Sequence, residues 1–134
     1  MKATFKTILY FLGLVALLIA GYVGYLALTY IDDTVFEGEA YGFEIGTKKL
    51  QTFSDIKPIL IEHPQLSLYI SYGQRAGDNM TLDPVDNSFS EAAKYDSWWL
   101  LLDGKSEFFN IIRLRFDNER LVEIHRHRQY FELP

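Results

Sequence analysis

Hydrophobic residues follow three rhythms along this chain, and each predicts a different element. From Ile8 to Ile31 the run is continuous, 24 residues without a charge. A helix rises about 1.5 Å per residue, so about 20 apolar residues cross a hydrocarbon core roughly 30 Å thick. Ile8–Ile31 is long enough to cross once with some tilt. It also lacks the polar face of a helix that lies on a soluble core. From Thr47, a hydroxyl cap, the positions Leu50, Phe53 and Ile56 or Lys57 recur at helical spacing. Pro58 has no amide proton and crowds the preceding turn. Either it kinks this helix, or a second helix runs from near Ser54 to about His63.

After Pro64 the rhythm becomes strict alternation. Leu66, Leu68, Ile70 and Tyr72 alternate with Gln65, Ser67, Tyr69 and Ser71, the period of a half-buried strand. Gly73 to Asp96 is polar and rich in turn residues, and reads as a long loop with one helical turn at Ser90–Lys94. Loops of this length are uncommon in small domains unless they work. Trp98–Leu102 is strongly apolar and runs into Asp103-Gly104, a hairpin signal. Phe108–Phe116 carries Ile112, Leu114 and Phe116 on one face and Ile111, Arg113 and Arg115 on the other. Asp117–Arg120 turns the chain, and Leu121–Phe131 returns as the last strand.

The predicted class is α+β, with an N-terminal transmembrane helix ahead of a small domain. In that domain one or two helices pack on an antiparallel β-meander. Residues 1–7 read as a cytoplasmic end, 8–31 as the span, 32–40 as an acidic tether and 41–134 as the extracytoplasmic domain, opening with a short strand or extended segment at Tyr41–Gly46.

The competing reading of the apolar run is a cleaved signal peptide, whose apolar region spans about 7–15 residues and ends in a small-x-small site. This run is longer, and Tyr22, Tyr25, Thr29, Tyr30 and Ile31 occupy its exit. Ala16 and Ala20 form no A-x-A, so an uncleaved signal anchor is expected. Lys2 and Lys6 precede the run while Asp32, Asp33, Glu37 and Glu39 follow it. Positive charge stays on the cytoplasmic side, which places residues 32–134 across the membrane, in the periplasm of a bacterium. Gly13, Ala16, Ala20, Gly24 and Ala27 recur at steps of three and four, a stripe on which two membrane helices can pack.

Charge and composition narrow the chemistry. Residues 32–134 hold eleven basic and eighteen acidic side chains, a formal charge of −7, which argues against nucleic-acid binding. The absence of cysteine excludes disulfides, thiolate metal sites, a cysteine nucleophile and a lipid-modified cysteine. There is no Gly-x-Ser-x-Gly elbow, phosphate loop or His-Glu-x-x-His helix, so nothing recommends an enzyme, and no cofactor is expected.

Glu123, His125 and His127 alternate on the last strand and so share a face, which makes them a secondary candidate for a zinc-type ion. Arg113, Arg115, Arg126 and Arg128 concentrate on the C-terminal hairpin, where guanidinium forks can grip a partner's carboxylates or pair internally. With Asp78, Asp83 and Asp86 of the long loop, and Trp98 as an aromatic anchor, they make up the expected contact surface. Trp98 and Trp99 must face opposite ways in a strand. Tyr69, Tyr72, Tyr95 and Phe108 add to the aromatic content of that region.

The stretch Gly42–Lys48, a helix after it, and a meander ending in Leu114–Leu121 together resemble the BamE/SmpA-like (BLIP-like) group of small envelope domains. The likeness spans most of residues 41–131, with a membrane helix where BamE has a lipid anchor. It implies a non-enzymatic domain that binds a protein in the periplasm or inner membrane. Besides that role, the residues leave open a membrane-tethered immunity or inhibitor protein against a periplasm-acting toxin or hydrolase. They also leave open a metal-binding domain that uses Glu123, His125 and His127.

Overall fold

A computed structural model describes residues 2–75, 77–104 and 109–130, with side chains from Lys6 onward except that of Asp86. The fold is α+β. The chain divides into two compact units, the first containing helix α1 and the second comprising Ile31–Arg128.

Helix α1 (Lys2–Thr29) is unbroken, and its stretch Lys6–Thr29 is long and apolar enough to cross a membrane. A helix suits that setting because it satisfies its own backbone hydrogen bonds without water.

The second unit is built on one antiparallel sheet of six strands, in the order β1-β8-β7-β6-β4-β5. Its strands are β1 (Ile31–Val35), β4 (Ser67–Ser71), β5 (Asn79–Leu82), β6 (Ser97–Leu101), β7 (Asn110–Asp117) and β8 (Arg120–Arg128). A two-stranded ribbon, β2 (Glu39–Ala40) with β3 (Phe43–Glu44), precedes the helices α2 (Lys49–Ser54) and α3 (Ile56–Glu62). Tyr41 and Gly42 both take positive φ, 54° and 85°, the conformation a tight two-residue hairpin demands.

Alternation sorts the side chains as the strand period requires. Leu68, Ile70, Trp98, Leu100, Ile112, Leu114, Phe116 and Ile124 form one buried layer, closed by Phe43, Phe53, Ile56 and Ala92. Helices α2, α3 and α4 (Phe89–Ala92) thus supply the lid of the core on one face of the sheet. At full burial each such aliphatic side chain contributes about 1.5–3 kcal/mol.

Several expectations are corrected. Residues 32–40 are not a tether: Ile31–Val35 pairs along its whole length with Ile124–Arg128 of β8, and Glu39–Ala40 is strand β2. Asp32 faces His127 and Asp33 faces Arg126, so the acids that suggested a linker are matched by a basic neighbour strand. Ile31 belongs to β1 rather than to the helix.

Thr47 does not cap α2: the N-cap is Lys48, without a side-chain bond. The inward face is Lys49, Thr52 and Phe53, and Leu50 is 61% exposed. Of the two readings of Pro58, the second holds, since Asp55 separates α2 from α3 and Pro58 sits in the first turn of α3. There a helix has no use for the missing amide proton. The 73–96 segment is not one loop, because β5 pairs with β4 and is followed by a 3-10 turn (Asp86–Ser88) and α4. Phe108 and Phe131 lie outside the described residues; β7 begins at Asn110 and β8 ends at Arg128.

Candidate functional site

The sheet face opposite the three short helices has a row of side chains that crosses all six strands. By register it runs Thr34, His125, Arg113, Trp99, Tyr69 and Thr81. The Arg113 guanidinium carbon lies 5.5 Å from the centre of the Trp99 ring, a cation–π contact. Its Nη2 donates to Glu123 Oε1 at 2.7 Å, and Arg115 Nε donates to Glu123 Oε2 at 2.9 Å. Burial alone would raise the Glu123 pKa. The two guanidinium groups outweigh it and hold the carboxyl below its ordinary value. Arg113 Nε is buried with no hydrogen-bond partner among the described residues.

A β-bulge sets this face. Arg115 pairs with Glu123 and Phe116 with Leu121, so Val122 is the extra residue. The bulge lets Leu121 and Ile124 both enter the core and turns Glu123, His125 and His127 to the other side. Asp117 to Arg120 closes the hairpin through Asn118 and Glu119, both at positive φ.

The sequence had all four hairpin arginines acting together, and the structure separates them. Arg113 and Arg115 share the helix-free face with Glu123. Arg126 is buried in the opposite row with Leu68, Leu100 and Ile112, across from Asp33. Its guanidinium donates to Asn110 Oδ1 at 2.6 Å and to the Ile111 carbonyl at 3.0 Å. By alternation Arg128 lies on that same side of β8. Arg126 lines a cleft of about 340 Å³ with Tyr41, Ile59, Glu62, His63 and Ile112. The Tyr41 hydroxyl donates to Asp33 Oδ2 at 2.9 Å; burial and that carboxylate raise its pKa.

Trp98 cannot be a surface anchor. It is fully buried, its Nε1 donates to the Ala92 carbonyl at 2.9 Å, and its ring packs on Phe53 and Phe116. Trp99 takes the outward position. Asp78 and Asp83 stand at opposite ends of β5, and Asp78 accepts from the Arg75 amide within its own turn. The Asp86 side chain lies outside the described set. Gly13, Ala16, Ala20, Gly24 and Ala27 all lie on α1, where their spacing keeps them on one face.

The two histidines stand beside a different third residue from the one the strand period suggested. His125 and His127 share a face with Glu123, yet Glu123 is held by the arginines. The third residue beside them is Asp32 of β1, whose Oδ1 is 3.4 Å from His125 Nε2 and 3.9 Å from His127 Nδ1. The sequence contained one missed signal for this: the β-branched Ile31, Thr34 and Val35 around the two acids are strand formers.

No family model, curated protein or solved structure gives a significant match to this chain. The BamE/SmpA-like resemblance of Gly42–Lys48 and Leu114–Leu121 therefore has no relative behind it.

Proposed function

We propose that this chain is a single-pass protein of the cytoplasmic membrane whose outer domain, Ile31–Arg128, binds another protein in the periplasm or the membrane through its helix-free sheet face. The observation that carries this reading is the six-strand row centred on Arg113 and Trp99. Aromatic and guanidinium groups dominate the energy of protein interfaces, and here one of each is stacked, half-exposed and held in register by a rigid sheet. The lysines at the start of α1 and the acids after it support a cytoplasmic start and an external domain.

Photocrosslinking from membranes tests the surface. A crosslinking residue at Tyr69, Thr81 or Trp99 should yield one recurrent protein adduct, and one at Leu50 or Lys57 on the helix side should not. Adducts from the helix side alone would refute the assignment. A stoichiometric soluble enzyme as the adduct would make the domain an inhibitor or immunity protein; a membrane subunit would make it an assembly partner. Because the chain has no cysteine, Asn118→Cys supplies a unique label. It should react with an impermeant maleimide from outside the cytoplasmic membrane, on a chain that retains Lys6–Thr29.

A further inference from the structure

We infer that Asp32, His125 and His127 form a binding site for a divalent transition metal of the zinc type, bridging the first strand after α1 to the last strand of the sheet. This site lies at the β1–β8 end of the same helix-free face, where Thr34 and His125 belong to the row already described, and its metal chemistry does not depend on which protein that face binds. Two histidines two apart on β8 point the same way, and the pairing of Asp32 with His127 brings the carboxylate between them. One ligand atom from each residue lies within 4.8 Å of the other two.

The separations, which also lie within ion-pair range, match what a metal site needs. Direct N–H···O bonds cluster at about 2.7–3.2 Å, and Asp32 Oδ1 stands farther than that from both ring nitrogens, at 3.4 and 3.9 Å. Ligands around a tetrahedral zinc with bonds of about 2.0–2.2 Å are roughly 3.3–3.6 Å apart. The three atoms therefore need to close by little more than about 1 Å, within the reach of side-chain rotation on exposed β1.

Orientation is also provided for. The Thr34 hydroxyl lies 2.8 Å from His125 Nδ1. With Nδ1–H donating to that oxygen, the lone pair of Nε2 faces Asp32, the tautomer metal ligation requires. The two imidazole planes are nearly parallel, 7° apart. A donor set of two imidazoles and one carboxylate suits zinc, cobalt or nickel, and not calcium or magnesium, which take oxygen ligands. The side chains remain 22–45% exposed, so a fourth position is open to water.

The test uses the full chain in detergent micelles. Zinc titrated by equilibrium dialysis should bind at one ion per chain and raise the midpoint of urea unfolding in step with its concentration. Asp32→Asn and the double variant His125→Ala/His127→Ala should each weaken binding at least about tenfold. Glu123→Gln should bind as the wild type does, which distinguishes this ligand set from one using Glu123. Cobalt added to the wild-type chain gives a readout that needs no variant: intense visible bands of four- or five-coordinate cobalt are expected. A weak hexaaqua-like cobalt spectrum, wild-type affinity in the histidine double variant, or loss of binding in a folded Glu123→Gln chain would each overturn the site.

Discussion

Lys49 offers a test in which removing a buried cation should cost less than removing the exposed anions around it. Its ammonium donates to Asp96 Oδ1 at 2.8 Å, Glu119 Oε1 at 3.0 Å and the Ala93 carbonyl at 3.0 Å. The lysine side chain is 3% exposed, whereas Asp96 and Glu119 are 72% and 70% exposed. Lys49→Met keeps the aliphatic stem, and both carboxylates return to water, so the loss is about 1–3 kcal/mol for the missing charged bonds. Asp96→Ala/Glu119→Ala leaves a buried ammonium with one carbonyl, and an uncompensated buried charge costs about 3–5 kcal/mol. Urea unfolding of the full chain in micelles, followed by tryptophan fluorescence, measures both. The pH dependence has opposite signs. In the wild type, burial would lower the Lys49 pKa, but the two carboxylates hold it above its ordinary value. Its stabilisation is thus full below about pH 10.4 and lost as pH rises through the folded value. In the double variant the folded pKa falls below the unfolded one, so stability should rise with pH up to about 10.4. A double variant that loses less than Lys49→Met, or that shows no such rise, would refute the burial of this cation.

The two adjacent tryptophans should respond differently. Trp98→Phe removes the indole bond to the Ala92 carbonyl, which keeps the Tyr95 amide as donor, and leaves space in the core, and should cost about 1–3 kcal/mol, while Trp99→Phe should cost under about 1 kcal/mol and reduce crosslinking instead. The Glu123 carboxyl, held low by Arg113 and Arg115, stabilises the fold above its unfolded pKa of about 4.3. That contribution should vanish as pH falls through the folded value, so the stability gap between wild type and Glu123→Gln should close below about pH 4. Gly104→Ala should be the most damaging glycine substitution tested, beyond about 3 kcal/mol, because its Cβ would lie 2.0 Å from the Gln65 carbonyl oxygen at a φ of +68°. Gly38→Ala, at φ +80° with nothing within 4 Å, should cost only about 1–2 kcal/mol by the same urea assay.

Local periodicity made most of the second unit legible. The alternation of Leu66, Leu68 and Ile70 put all three in the core, as did Ile112, Leu114 and Phe116 on β7, but Tyr72, the fourth of the first set, lies beyond the end of β4 and is exposed. The sequence misled where an element depends on a distant partner. Strand β1 has two adjacent acids and only five residues, so by itself it looks like a solvated linker. Its strand character comes from β8, at the other end of the domain. Strand β5 was hidden in the same way: Asn79–Leu82 is short and flanked by turn residues, and only its pairing with Ser71–Leu68 orders it. In α2 the capping rule chose Thr47 and the periodicity chose Leu50. Lys49 occupies the buried position that an apolar residue would normally take, because its ammonium has three acceptors there.

The helix-free face shows the same limit from the side of chemistry. Counting by two along β8 correctly placed Glu123, His125 and His127 together, yet it could not tell which of them was already engaged. Arg113 and Arg115, two apart on β7, reach across one strand spacing to the first of the three and hold it. Asp32 arrives beside the other two by a pairing that no local pattern encodes. The bulge at Val122 then decides which side of the sheet receives them. Without that extra residue, one step of register would place Glu123 in the core and Ile124 outside. The composition of the last strand shows which side chains alternate there, while their grouping with Arg113, Arg115 and Asp32 depends on one bulge and one edge strand.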